Sequence, residues 1–145
     1  MTARFSIAIA VLCLAACNEQ TQPSPSSPSP DPYEQWRSLD LHNYTIDQIR
    51  SCFCAEVGEA LRVTVRFDTI ASVAKVSDGS EVPYQTWKHY LTVDSLFGVI
   101  RNPGTDSLVT AYHPSYGFPQ TLDINPQLHP VDGGVLYQTS NLQIP

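Results

Sequence analysis

Two cysteines separated by one residue, Cys52 and Cys54, carry the most reactive chemistry in the predicted folded part of the chain. In an extended strand, residues two apart have Cα atoms about 6.6 to 7 Å from each other, at the upper end of relaxed disulfide geometry. A disulfide there implies a bulge, a bend or strain, and strained disulfides are more easily reduced. Three interpretations follow: a small structural staple, which we favour, a pair of free or redox-switching thiols, or an incomplete soft-metal site.

The other groups that could do chemistry form no motif for catalysis or metal binding. The four histidines lack the H-x₃-H type of spacing that metal sites use. Two histidines and two aspartates could come together after folding, but we expect all four to be solvated loop residues. The residues in question are His113, Asp123, His129 and Asp132. Ser115 has no G-x-S-x-G elbow around it, and the seven glycines form no phosphate-binding loop. We therefore predict no metal site and no cofactor, and we expect a non-catalytic protein.

The first residues of the chain have the layout of a bacterial export signal. One basic residue, Arg4, precedes an apolar run over residues 5–14, which is shorter than the about 20 residues that a membrane-spanning helix needs. We therefore predict a cleaved signal peptide over residues 1–16 instead of a transmembrane helix. The segment Leu14-Ala15-Ala16-Cys17 resembles the lipobox of bacterial lipoproteins, which implies cleavage before Cys17 and lipidation of that cysteine. Asn18 stands where lipoproteins of the inner membrane usually carry Asp, so the resemblance favours the outer membrane.

Composition then separates a tether from a folded domain. Five of the 12 prolines lie within residues 23–32, and residues 18–31 contain no aliphatic or aromatic side chain. We predict that residues 17–32 form a lipidated, disordered Pro/Ser tether and that residues 33–145 form one domain. A docking site for a proline-binding module or for the cell wall is the alternative use of the tether.

Charge narrows the partners that the domain can have. Signal cleavage would remove one of the 8 basic residues and none of the 14 acidic ones. An acidic surface excludes binding to nucleic acid, and it excludes electrostatic docking to anionic lipid. We therefore expect membrane association through the covalent lipid on Cys17 alone, since several acyl chains suffice to hold a protein on a membrane. We expect the protein to be a monomer.

Hydrophobic periodicity predicts the elements that position these residues. A capped start at Asp31-Pro32 indicates a short amphipathic helix over residues 32–41, and a second amphipathic helix is expected to follow Thr92. Period-two patterns predict strands near residues 44–54, 61–67, 70–76, 108–113, 120–125 and 135–142. The alternation in residues 44–54 is imperfect, so either face could point toward the core. A tight hairpin is expected around Asp68-Thr69.

The order of these elements predicts the fold class. It is α-β-β-β-α-β-β-β, and most neighbouring strands are joined by short loops. Short connections allow antiparallel pairing but not parallel crossovers. We therefore predict an α+β fold, with a mainly antiparallel sheet of about six strands and two short amphipathic helices.

One predicted loop concentrates aromatic side chains beside Gly and Pro. Aromatic-rich loops on a rigid sheet can serve as contact sites. We therefore predict a partner contact formed by Tyr112, Tyr116, Gly117, Phe118 and Pro119. In the other interpretation, which we favour for the packing of these rings, Tyr116 and Phe118 fold back and plug the end of the sheet.

With these features placed, most of residues 36–137 resemble a family of small bacterial cell-envelope lipoproteins of uncharacterised function. The resemblance is carried by a combination of motifs: Trp36 and Tyr44 ahead of Cys52-Phe53-Cys54, Val63-Thr64-Val65, residues 92–97, Tyr116-Gly117-Phe118-Pro119, and Asp132 before the last strand. His113 and Asn125 stand where the resemblance leads us to expect Asp, which implies that this member has lost part of any site built on those aspartates. The resemblance implies location and fold and adds no mechanism.

Together these features predict a lipid-anchored envelope protein, on the outer membrane and facing the periplasm. Its expected role is to bind or assemble with an envelope protein partner, without catalysis. One alternative is a thiol-disulfide redox protein that uses Cys52 and Cys54. Another is a purely structural component of the envelope.

Overall fold

The computed structural model describes residues 30–53, 58–129 and 133–145. The predicted signal peptide, Cys17, most of the tether, Cys54 and Asp132 therefore lie outside the described residues. The elements in chain order are α1 (Pro32–Arg37), β1 (Tyr44–Cys52), β2 (Ala60–Arg66), β3 (Thr69–Lys75), α2 (Tyr84–Trp87), α3 (Val93–Arg101), β4 (Leu108–Tyr112), β5 (Pro119–Ile124), a 3₁₀ turn (Pro126–Leu128) and β6 (Val135–Gln143).

The strands form one six-stranded sheet in the order β3-β2-β1-β6-β5-β4, and every pair is antiparallel. Two three-stranded meanders thus meet at the centre, where the first strand of the chain pairs with the last. The register of that central pair shifts once, because Asp47 faces Ser140 while Thr45 faces Gln143. The extra residue is Asn141, with φ of +53°, which makes a β-bulge in β6. The predicted α+β class and antiparallel sheet are confirmed.

Helices α1 and α3 cover one face of the sheet. Trp36 of α1 meets Tyr44 edge to face, with ring centroids 5.4 Å apart, and Phe97 of α3 belongs to the same buried cluster. The structure resolves the ambiguous face of β1, because Tyr44, Ile46 and Gln48 all point into this core. Buried Gln48 is satisfied there, since its amide both donates to the Leu91 carbonyl (3.2 Å) and accepts from the Leu91 N–H (3.1 Å).

Two local predictions need correction, and one helix was not predicted. Helix α1 ends at Arg37 and not at Leu41, because its last turn tightens and Asp40 adopts φ of +50°. The β2–β3 turn is centred on Phe67-Asp68 and not on Asp68-Thr69. Both turn residues have positive φ, as the favoured two-residue hairpin turns require, whereas the β-branched residue is kept in the strand. Helix α2 lies in a segment for which no helix was predicted.

Within the described part of the chain, we find no helix that is long and apolar enough to cross a membrane.

Candidate functional site

The loop that joins β4 to β5 is closed by two backbone hydrogen bonds. The His113 carbonyl accepts from the Gly117 N–H, and the His113 N–H donates to the Phe118 carbonyl, each at 2.8 Å. Gly117 has φ of +74°, and a Cβ at this position would collide with the Pro32 carbonyl oxygen and lie 3.0 Å from Cβ of Gln35. The loop therefore lies tightly on the first turn of α1, where only glycine fits.

His113 is the side chain around which the loop folds. Its Nδ1 accepts hydrogen bonds from the backbone N–H groups of Ser115 and Tyr116, each at 3.2 Å. An accepting Nδ1 carries no proton, so the proton of the neutral ring lies on Nε2. The imidazole centroid lies 4.8 Å from the Phe118 ring and 4.9 Å from the Tyr116 ring. Backbone bonding and ring packing together hold the Tyr116 side chain in place.

A cleft of about 230 Å³ opens between this loop, β5 and the bulged end of β6. It is lined by His113, Tyr116, Phe118, Gln120, Ser140, Asn141 and Leu142. These side chains supply aromatic surface and neutral polar groups but no formal charge. Such a lining suits an uncharged or aromatic group of a partner better than an ionic ligand.

The five residues predicted as a partner contact differ widely in exposure. Phe118 is only 1% exposed, and Gly117 and Pro119 are buried as well. Tyr112 is half-buried, with its ring stacked on α3. Tyr116 keeps the largest exposed fraction of the predicted aromatic residues, 37%. Phe118 thus folds back onto the sheet, whereas Tyr116 is the ring that the loop presents to solvent.

Of the four His and Asp residues considered together in the sequence, the structure joins two. The His129 Nε2 lies 2.6 Å from Asp123 Oδ1, while His113 is engaged in the β4–β5 loop. Asp132 lies outside the described residues. Over residues 30–53, 58–129 and 133–145, no group of three or more His, Cys, Asp or Glu side chains is arranged to hold a metal ion.

The cysteine pair is described only in part. Cys52 is the last residue of β1, and Cys54 lies beyond the described residues, so their pairing stays a prediction. The Arg50 Nη1 donates to Cys52 Sγ at 3.0 Å.

The uncovered face of the sheet carries a polar network at its centre. Arg62 donates from Nε and Nη2 to the two carboxylate oxygens of Asp47, at 2.8 and 3.1 Å, and Asn141 Nδ2 adds a third bond at 2.8 Å. Burial works against the charge of Asp47, but these bonds outweigh it and hold the pKa of the carboxyl below its usual value. The network joins β1, β2 and β6, so we assign it a structural role.

The β2–β3 turn carries a second cluster of titratable side chains. His42 Nδ1 lies 2.9 Å from both carboxylate oxygens of Asp68, and its Nε2 lies 3.3 Å from Asp40. The hydrogen bond and the charge of Asp68 raise the pKa of His42. Phe67, in the same turn, is 83% exposed. The cluster fixes the turn to the segment that precedes β1.

A six-stranded antiparallel sheet with helices on one face, and an aromatic loop pinned to the first helix, defines a small α+β domain. The chain belongs to the DUF6174 family, a family of unknown function, whose model matches residues 31–144. No curated protein and no solved structure matches the chain. Membership agrees with the expectation of an uncharacterised family and assigns no activity.

Proposed function

We propose that this chain is a lipid-anchored protein of the bacterial cell envelope, whose domain binds an envelope protein partner without catalysis. Cys17 would carry the lipid, and residues 18–32 would hold the domain away from the outer membrane on its periplasmic side. The contact surface would be the exposed ring of Tyr116 and the cleft beside it.

The observation that supports this proposal is the fixed position of an exposed aromatic ring. Association costs less when the contacting side chain is already ordered in the free protein. His113 orders Tyr116 through its Nδ1 acceptor and through ring packing, and Gly117 pins the same loop to α1. Aromatic side chains of this kind are enriched among the residues that dominate protein interfaces.

Photocrosslinking in intact cells tests the contact surface. A benzoylphenylalanine probe at Tyr116 of the full chain should give a discrete crosslinked product. The matched control carries the probe at Val76, which is exposed to a similar degree, 38%. A second control carries it at Ser27 in the predicted tether. Identical product patterns at all three positions would contradict the proposal.

Two substitutions of His113 separate its roles in that experiment. His113→Asn keeps a side-chain acceptor for the loop N–H groups, whereas His113→Phe keeps a ring and removes the acceptor. We expect the crosslink from Tyr116 to persist in His113→Asn and to weaken in His113→Phe. The opposite ranking would show that ring packing, and not the backbone turn, positions Tyr116.

Palmitate labelling in cells tests the anchor. The full chain should incorporate labelled palmitate, and the Cys17→Ser variant should not. Continued labelling of the variant would refute lipidation at that cysteine.

A second candidate function is thiol-disulfide exchange, because the Arg50 guanidinium lies beside Cys52 Sγ and would stabilise a thiolate released when the pair is reduced. A disulfide between Cys52 and Cys54 would take up two electrons and two protons from a partner dithiol, which would itself become a disulfide. The midpoint potential of the pair, measured in the full chain, decides the matter. A value far below the potential of the envelope identifies a structural staple, while a value near it, altered in Arg50→Gln, supports exchange.

A further inference from the structure

One edge of the sheet has unpaired backbone groups. Strand β4 pairs only with β5 and stands last in the strand order. The Ser107 carbonyl accepts from the Asn125 N–H at 2.8 Å. This bond shows which residues of β4 have their backbone groups directed toward β5. Because bonded and non-bonded positions alternate in antiparallel strands, every second residue of β4 points its N–H and C=O away from β5. These residues are Leu108, Thr110 and Tyr112. Among the described residues, no backbone group outside the strand pairs bonds to them.

The C-terminal part of the other edge strand, β3, is covered by the chain itself. The Lys75 N–H donates to the Ser80 carbonyl, and the Val82 N–H donates to the Val73 carbonyl, each at 2.9 Å. Residues 80–82 thus lie along the end of β3 and use the outward groups of Val73 and Lys75. Strand β4 has no such cover among the described residues. Its sequence LVTAY also contains no Pro, Lys or other charged residue that would discourage pairing with another strand.

A cleft beside β4 offers a place for a side chain of an added strand. It has a volume of about 330 Å³, and it lies between α1, α3 and the end of β4. Its aromatic walls are Tyr33, Phe97 and Tyr112, and the carboxylates of Asp31 and Glu34 line it as well. The Arg101 guanidinium lies 4.5 Å from the centroid of the Tyr33 ring at this cleft. Alternate side chains of a strand paired with β4 would point to this helix-covered side of the sheet.

We propose that β4 is a strand-addition site that binds an extended segment of a partner protein, with one aromatic or aliphatic side chain of that segment in the α1–α3 cleft. The free ladder of N–H and C=O groups selects an extended backbone, and the cleft selects the side chain. This surface is separate from the Tyr116 ring, and it does not depend on the contact proposed for that ring. A second copy of this chain is the competing occupant.

A soluble peptide tests the site on the full chain, purified from membranes in detergent. The probe is a capped peptide of alternating Thr and Val with one central Phe and terminal Lys residues. Amide hydrogen exchange, read at single residues by NMR, should slow by about tenfold or more at Leu108, Thr110 and Tyr112 when the peptide is added. The Val109 amide, already bonded to β5, should not change. A lack of added protection at the three amides would overturn the proposal.

Two variants and a second peptide control the experiment. Thr110→Pro removes an outward N–H that is not hydrogen-bonded to any strand of this sheet, whereas Thr110→Ala keeps it. The peptide should protect Leu108 and Tyr112 in the Ala variant but not in the Pro variant. If the Pro variant does not fold, a peptide with Gly in place of Phe is the deciding probe. It should give no added protection of the β4 amides, because it has no side chain to place in the cleft. Equal protection by both peptides, or protection that rises with protein concentration without peptide, would overturn the proposal.

Discussion

The two edge strands of the sheet satisfy their backbone groups in different ways. At β3 the chain folds back and residues 80–82 bond to Val73 and Lys75. At β4 the outward groups of Leu108 and Thr110 have only solvent available among the described residues, and the strand runs directly into the loop that carries Tyr116. The difference concentrates unused hydrogen bonding, an exposed aromatic ring and two clefts on one side of the molecule. It teaches that the two edges differ in backbone pairing, and not in apolar exposure alone.

The largest expected effect is on the loop at the end of β4. Gly117→Ala should lower the free energy of unfolding by about 3 kcal/mol, because the left-handed backbone and a collision with α1 both act against it. The control is Gly104→Ala, where φ is +61° but no atom lies within 4 Å of the new Cβ. It should cost only about 1 kcal/mol. Denaturant unfolding measures both values, and equal losses would mean that contact with α1 does not hold the loop.

The same truncation compares a core-facing position of β3 with an outward-facing position of β4. Val73 in β3 is 1% exposed, whereas Val109 in β4 is 56% exposed. We expect Val73→Ala to cost about 2 kcal/mol of unfolding free energy, because it leaves a cavity in the core. Val109→Ala should change it by less than about 0.5 kcal/mol. Comparable losses in thermal or denaturant unfolding would show that the β4 edge is packed as closely as β3.

The smallest expected effect concerns the turn that leads into β3. Since the pKa of His42 is raised above 6.5 in the folded state, its contribution to stability should be complete at pH below 6.5 and lost as the pH rises through the folded-state pKa. Asp68→Asn removes the charge and keeps a residue that tolerates positive φ. An NMR titration of the imidazole should give a lower pKa in this variant than in the parent. An unchanged value would show that Asp68 is not the main partner.

Much of the fold follows from periodicity, and the exceptions have local causes. Clean alternation in β2 and the spacing of apolar residues in α3 identify both elements from the sequence. The alternation of β1 is obscured by Gln48, because only the structure shows that the Leu91 backbone satisfies this buried amide. The end of α1 and the centre of the β2–β3 turn depend on residues in left-handed conformation. Asp40 and Phe67 carry no glycine-like signal that would predict this.

The candidate site was predicted less completely than the fold. The sequence singled out the β4–β5 loop as a candidate contact, but it could not tell which ring would face solvent, since Phe118 and Tyr116 are chemically alike. From the sequence, His113 was considered as a solvated residue, as a member of a His-Asp group, and as a replacement for an expected Asp. Its position before a Pro-Ser turn is a signal that could have identified it as a turn acceptor. The free edge of β4 depends on the pairing of distant strands, which no local pattern encodes.

Hydrogen exchange of the full chain, without any added peptide, tests the contrast between the two edges most directly. The amides of Lys75 and Val82, which bond across the β3 edge, should exchange slowly. The amides of Leu108 and Thr110 should exchange at rates close to those of an unprotected chain, although Val109 between them is slow. If Leu108 and Thr110 are as protected as Lys75 in dilute protein, the β4 edge is already occupied within the chain, and it is not free to bind a partner.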